Sequence, residues 1–187
     1  TWQLTGEKAS EGSGGLEVHD FELLVRKSGS PKGRSLYEFS GEEIRLNTKA
    51  DKNLARIPGE TDMKIRDEFE GTATSVRYEI STGQISGKDL NLTESGDKNG
   101  TSLTGNSFEY GYKSEKLKIT EGFRAIIPGS GAGRIEITGN QLTWTPGIEI
   151  YAEGDVVART NSSWKLSSKT MKWSPGKARL ESSGSVV

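Results

Sequence analysis

His19 is the only histidine in the chain, and cysteine is absent. An imidazole acts as a general base or a metal ligand only in company. It needs a hydroxyl or thiol nucleophile beside it, or further nitrogen and sulfur ligands. No such motif surrounds His19. The lack of cysteine excludes disulfides, thiolate metal sites and a Cys nucleophile. Glu149, Glu153 and Asp155 lie close enough in sequence to raise a glycosidase pair, but carboxylates on a strand and turn read first as solvated outer-face groups. Gly129, Gly131 and Gly133 fail as a phosphate loop: Arg134 stands where the third glycine of GxGxxG belongs, and no helix follows. Three Asn-x-Ser/Thr sites, at Asn91, Asn99 and Asn161, arise readily by chance in a Ser- and Thr-rich chain. The residues therefore point to no enzyme, no cofactor and no metal.

What remains is a row of large apolar and aromatic side chains: Phe108, Tyr110, Leu142, Trp144, Met171 and Trp173. They read either as the filling of a core or as the lining of an apolar groove, and the two readings overlap. Their placement depends on strands. From Gly133 to Thr160 the sequence predicts three short strands. Ile135 and Ile137 alternate with polar residues, Leu142 and Trp144 repeat the pattern after Gly139-Asn140, and Ile148 and Ile150 resume it after Pro146-Gly147. Gly154-Asp155 punctuates again before Val156 and Ala158. Period-2 alternation places Phe108, Tyr110, Leu117, Ile119, Ile137, Leu142, Trp144, Ile150 and Val156 in one interior. It turns Glu109, Glu136, Thr143 and Glu149 to water.

The unit recurs. Openings of one apolar residue, a Ser, Thr or Glu, and a small residue begin near Leu4, Phe39, Phe69, Leu103, Ile137 and Leu166, at intervals of about 30–35 residues, a length typical of stacked repeats. In the last three copies an apolar residue and an aromatic follow two apart, ending at Tyr110, Trp144 and Trp173. Repeats made of strands predict a single elongated β domain over 1–187 that stacks its units in one direction.

The rest of the chain fits this pattern. Trp2 to Leu4 reads as a strand, and a shift of alternation at His19-Asp20 predicts a bulge or corner. Polar loops are expected at Lys27 to Ser35 and Glu94 to Thr101. Ala50 to Asp62 looks irregular, with one helical turn around Asp51 to Arg56 and an interruption at Ile57-Pro58-Gly59. Only 31% of the 187 residues are apolar and 27% are charged, which predicts a thin or open core. The 25 basic and 26 acidic residues are interspersed, so no electrostatic platform for nucleic acid is expected. No apolar run is long enough to span a membrane as a helix.

Gly154-Asp155-Val156, followed by Trp164-Lys165-Leu166-Ser167-Ser168 and Met171-Lys172-Trp173, resembles the repeat of the OstA-like periplasmic lipopolysaccharide-transport proteins, the LptA and LptC type. Trp2-Gln3-Leu4-Thr5-Gly6-Glu7-Lys8-Ala9 is similar to the opening of the LptC type. The resemblance is clearest over residues 103–187. It implies an all-β jelly roll or twisted β-taco of stacked antiparallel strands, whose interior takes the acyl chains of lipopolysaccharide or a similar glycolipid. The nine interior residues named above would then line the groove. It further implies a periplasmic location, tethering to the inner membrane through a segment outside this sequence, and contact with an inner-membrane transporter complex. Edge-strand pairing with a neighbouring OstA-like protein would complete a transport bridge, and the uncharged Ser185-Val186-Val187 end suits such pairing. The other readings are a structural scaffold or surface adhesin with a fully packed core, and a β-helix enzyme, for which the clustered carboxylates are missing.

Overall fold

The computed structural model describes residues 1–12, 15–26, 35–47, 53–66, 68–96, 100–129, 133–160, 165–174 and 179–183. Trp164, Asn99, Asn161 and the Ser185-Val186-Val187 end lie outside the described residues, as does nearly all of the Lys27 to Ser35 loop. The fold is all-β: the described residues form fourteen strands and no helix. In chain order they are β1 (Trp2–Thr5), β2 (Lys8–Gly12), β3 (Gly15–Arg26), β4 (Ser35–Asn47), β5 (Leu54–Ile65), β6 (Phe69–Glu79) and β7 (Gln84–Glu94). Then come β8 (Ser102–Gly111), β9 (Lys116–Gly129), β10 (Gly133–Gly139), β11 (Gln141–Thr145), β12 (Glu149–Thr160), β13 (Lys165–Ser174) and β14 (Arg179–Ser183). All pair antiparallel in one sheet, and each long strand neighbours the next in sequence.

The long strands share a defect near their middles. Asp20, Ser75, Asp89, Glu121 and Asp155 have φ near +50 to +63°, and Gly122 and Gly154 are also positive. Register slips fall at the same level, between Gly41 and Arg45, Ile57 and Glu60, Gly105 and Ser107, and Glu153 and Val156. Bulges of this kind bend a strand and sharpen its twist. Aligned across neighbouring strands, they crease the whole sheet. The sheet folds over on itself as a β-taco of two leaves. One leaf carries Phe21–Arg26, Ser35–Gly41, Phe69–Thr74 and β10; the other carries Gly15–His19, Val76–Glu79, Ser107–Gly111 and β11.

This geometry corrects the strand boundaries expected from sequence. Pro58-Gly59 and Gly154-Asp155 do not end elements; they lie at the crease inside continuous strands β5 and β12. Residues 54–56 are strand rather than a helical turn. Gly133 to Thr160 does hold three strands, β10, β11 and β12, and β10 and β11 both pair with β9 and β12, one on either side of the crease. Their single tight turn is at Pro146-Gly147, where Ile148 N–H donates to the Thr145 carbonyl at 3.0 Å. The corner expected at His19-Asp20 is present.

Register explains the repeats. Leu4, Leu23, Phe39, Met63, Gly71, Leu92, Leu103, Ala125, Ile137, Ala158 and Leu166 stand opposite one another in a single cross-strand column of one leaf. Five of the six repeat openings lie in it, and Phe69 stands two residues away. On the other leaf, Tyr78, Ile85, Tyr110, Leu117, Trp144, Ile150 and Trp173 form a second column, which collects all three repeat aromatics.

The leaves meet through these columns. Phe69 and Trp144 belong to opposite leaves and are separated in the sheet by β7, β8 and β9, yet their rings pack edge to face at 4.3 Å between centroids. Tyr37 similarly meets Tyr78 and Tyr110 at 5.8 and 5.9 Å, and Phe39 meets Tyr78 at 6.0 Å. Close to the crease the gap is too narrow for side chains. A Cβ at Gly105 would lie 2.1 Å from Ile119 Cγ2 across the bend, whereas one at Gly139 would meet its own cross-strand partner Phe123, 2.8 Å from the ring.

The outer faces are held by charge. Glu136 accepts from Arg124 Nε at 2.8 Å and from Arg159 Nε and Nη2 at 3.1 and 3.0 Å. The hydrogen bonds from Arg159 and then Arg124 hold its carboxyl below the usual glutamate range.

Two outcomes check this architecture. Gly105→Ala should lose about 1–3 kcal/mol of stability in urea, because the added methyl would overlap the fully buried Ile119 side chain. Gly12→Ala, with nothing within 4 Å of the added methyl, should stay within about 0.5 kcal/mol of wild type. Equal losses at both positions would remove the steric account of the crease. Glu136→Gln should cost about 1 kcal/mol at neutral pH. Because folding lowers this carboxyl's pKa, its contribution is full above the ordinary value of about 4.5 and fades as pH falls through the lower folded value. The stability gap between variant and wild type should therefore shrink in acid, and a gap that persists unchanged would refute it.

Candidate functional site

The interior between the leaves is apolar. All nine residues assigned to it by alternation are buried: Phe108, Tyr110, Leu117, Ile119, Ile137, Leu142, Trp144, Ile150 and Val156 are each at most 4% exposed. They come from β8 to β12, and the fold brings them into one core with Tyr37, Phe39, Phe69 and Tyr78. Of the four residues assigned to water, Glu109 is exposed, whereas Glu136, Thr143 and Glu149 are half-buried among outer-face neighbours. Glu149 receives Lys172 Nζ at 2.5 Å, so it is an ion-pair partner and no member of a carboxylate pair.

Opposite the crease, the leaves part along a rim. One cleft of about 220 Å³ lies there between Phe69, Glu94, Thr101 and Pro128 on one leaf and Trp144, Gly147, Ile150 and Trp173 on the other. A second, of about 400 Å³, is bounded by Trp2, Val25, Arg26, Leu36 and Tyr37 on one side and Tyr78, Ile80, Tyr112 and Lys113 on the other. Between the two in strand order, the Arg66 guanidinium pairs with Glu115 across the rim. That hydrogen bond holds the Arg66 pKa above its ordinary value.

Just inside the rim sit three phenols. Tyr37 donates to the Gly83 carbonyl at 3.3 Å. The Tyr110 hydroxyl is buried with no hydrogen-bond partner among the described residues. Burial pushes the pKa values of Tyr37, Tyr78 and Tyr110 up, so all three stay neutral. An unsatisfied buried hydroxyl is uncommon in native proteins, and it costs about 1–3 kcal/mol. The second cleft and its aromatic rim were missed in the sequence reading, because Tyr37, Tyr78 and Trp2 join it only through the fold. Alternating aromatics at Tyr37-Phe39 and Val76-Tyr78 were the available signal.

His19 lies on the outer face of β3. Its Nε2 is 3.1 Å from Glu17 Oε1, and Glu43 is its cross-strand partner. The donors of Glu17, His19 and Glu43 fall within 4.8 Å of one another. Arg45 already occupies this cluster, with Nε 3.3 Å from Glu17 and 2.5 Å from Glu43. A guanidinium there neutralises the carboxylates that a cation would need. No protein-family model matches the chain, and no curated protein matches it either.

A double-mutant cycle tests the contact that joins the leaves at the rim. Trp144→Ala alone should cost about 3–5 kcal/mol. Combined with Phe69→Ala, the pair should show a coupling of about 0.5–1.5 kcal/mol. Strict additivity in denaturant unfolding would mean that the two leaves do not lean on each other there.

Proposed function

We propose that this chain is a non-catalytic carrier of lipopolysaccharide or a similar glycolipid, working in the periplasm as one component of a bridge to the outer membrane. The observation that carries the reading is the aromatic-lined rim, which leads from solvent into a continuous apolar interior formed by two leaves of one sheet. Acyl chains need such a surface and little else: each buried methylene contributes about 0.8 kcal/mol, so several chains bind tightly without a charged pocket. The likeness of Gly154-Asp155-Val156 and Met171-Lys172-Trp173 to OstA-like repeats supports the same class. Trp144, Ile150 and Trp173 at the smaller cleft would receive the chains first. The leaves would then part, with the crease as hinge, to let them reach Leu142 and Ile137.

Partners follow from the sheet edges. On the leaf that carries Lys165–Ser168, β13 pairs only with β12 among the described residues, and β14 covers only its other half. Such an edge templates a strand from a neighbouring OstA-like protein. Attachment to an inner-membrane transporter complex belongs to the same reading. A second reading, a packed scaffold or adhesin, is favoured by the near-zero exposure of the interior side chains.

A photo-crosslinking residue at Leu142, in the intact envelope, separates the two. Capture of glycolipid there, together with loss of binding in a folded Ile137→Asp variant, is the expected result, since a carboxylate in that interior would be desolvated and unpaired. A folded protein in the envelope that never captures lipid would leave the scaffold reading in its place.

A further inference from the structure

Charges on the outer faces follow a rule. Where two charged residues stand directly opposite on neighbouring strands, most are of opposite sign: Glu17 with Arg45, Glu38 with Lys64, Lys64 with Glu70, Glu109 with Lys118, Glu136 with Arg159, and Lys172 with Glu181. One row breaks it. Arg45 stands opposite Arg56, and Arg56 stands opposite Arg77, on β4, β5 and β6. Arg159 also faces Lys165, but Glu136 holds Arg159 from its other side. Arg56 is the one described residue with a like charge directly opposite on both sides.

Arg45 is neutralised by Glu17 and Glu43. Arg56 and Arg77 are exposed and have no ion pair among the described residues. Like charges directly opposite in a sheet destabilise it. Composition does not force the arrangement, because the chain carries a net charge of only −1. The next strand adds donors. Ser86 stands opposite Arg77, and exposed Lys88 lies two residues further along β7 on the same face.

We propose that Arg56 and Arg77, with Ser86 and Lys88, form a phosphate-binding clamp on the outer face of the sheet. Directly opposed residues in an antiparallel pair lie about 4.5–5.5 Å apart at Cα, which lets two planar guanidinium forks converge on one tetrahedral anion. A phosphate offers several acceptor oxygens, enough for both forks, the Ser86 hydroxyl and the Lys88 ammonium at once. A carboxylate has only two oxygens and fills fewer of these donors. The repulsion between the arginines is relieved when the anion sits between them, so occupancy and stability rise together. The clamp is on the opposite side of the leaf from the apolar interior, and it stands whether or not that interior carries lipid. Its phosphate is either a free phosphate or that of an anionic lipid headgroup.

Two assays distinguish the sources. Thermal unfolding is followed with inorganic phosphate against chloride at equal ionic strength, and sedimentation is measured with phosphatidylglycerol vesicles against phosphatidylcholine vesicles. Wild-type protein should be stabilised by phosphate, sediment with the anionic vesicles, or both; a response to free phosphate alone assigns a soluble ligand, and one to vesicles alone assigns a headgroup. Arg56→Gln and Arg77→Gln should each weaken the response on the order of tenfold, the loss of one charge-assisted pair. Without phosphate and at low salt, Arg56→Gln should unfold at or above the wild-type temperature, which shows that the variant folds and that the arginines repel. No response of the wild type to either probe would overturn the proposal. So would an undiminished response in both folded variants.

Discussion

The long strands of this sheet change direction at one common level, and the molecule depends on that alignment. A flat sheet of these strands would leave one face of Leu, Ile, Phe, Tyr and Trp in water. Folding the sheet along a crease lets the apolar face bury against itself, with no second sheet and no helix among the described residues. The crease has a local cost, since Asp20, Ser75, Asp89, Glu121 and Asp155 hold left-handed backbone conformations unfavourable to residues with a Cβ. The burial of a largely aliphatic column against an aromatic-rich one offsets it. Glycine at position 105 allows the close approach of Ile119 across the bend, and glycine at 139 makes room for the ring of its cross-strand partner Phe123.

A folded sheet has one closed side and one open side, and this asymmetry organises the proposed function. Inside the crease, at Gly105, there is no room even for an added methyl group. At the rim the leaves are joined by ring contacts, by the Arg66–Glu115 pair and by Tyr37 donating to Gly83. The ion pair is exposed while the rings are buried, and in the proposed function the leaves separate along this line. The Tyr110 hydroxyl lies just behind this line without a partner among the described residues. A carrier needs such a balance. Its interior must be covered when empty and accessible when cargo arrives.

Much of this was legible in the sequence, because alternation is a local property. Period 2 assigned Phe108 to Val156 to the inside without knowledge of any strand pairing, and the spacing of Tyr110, Trp144 and Trp173 reflected a column that register later made literal. The crease was not legible. Pro58-Gly59 and Gly154-Asp155 carry turn chemistry, and only pairing on both sides reveals that the strand continues through them. Nor does Ser75 or Glu121 announce a left-handed conformation. The arginine row was invisible for a related reason: Arg45, Arg56 and Arg77 are far apart in sequence and become neighbours only once two registers are fixed. Glu136 was assigned to solvent by the same alternation that placed its neighbours inside, and two arginines close over it.

The most direct test of the central claim, that the rim admits acyl chains to the interior, is quenching of tryptophan fluorescence by a glycolipid with brominated acyl chains. Trp2→Phe and Trp164→Phe together leave Trp144 and Trp173, both at the smaller cleft, as the reporters. Saturable quenching in the folded protein, competed by the unbrominated lipid, is the result this account predicts. Unquenched emission at lipid concentrations that saturate binding elsewhere on the molecule would contradict it.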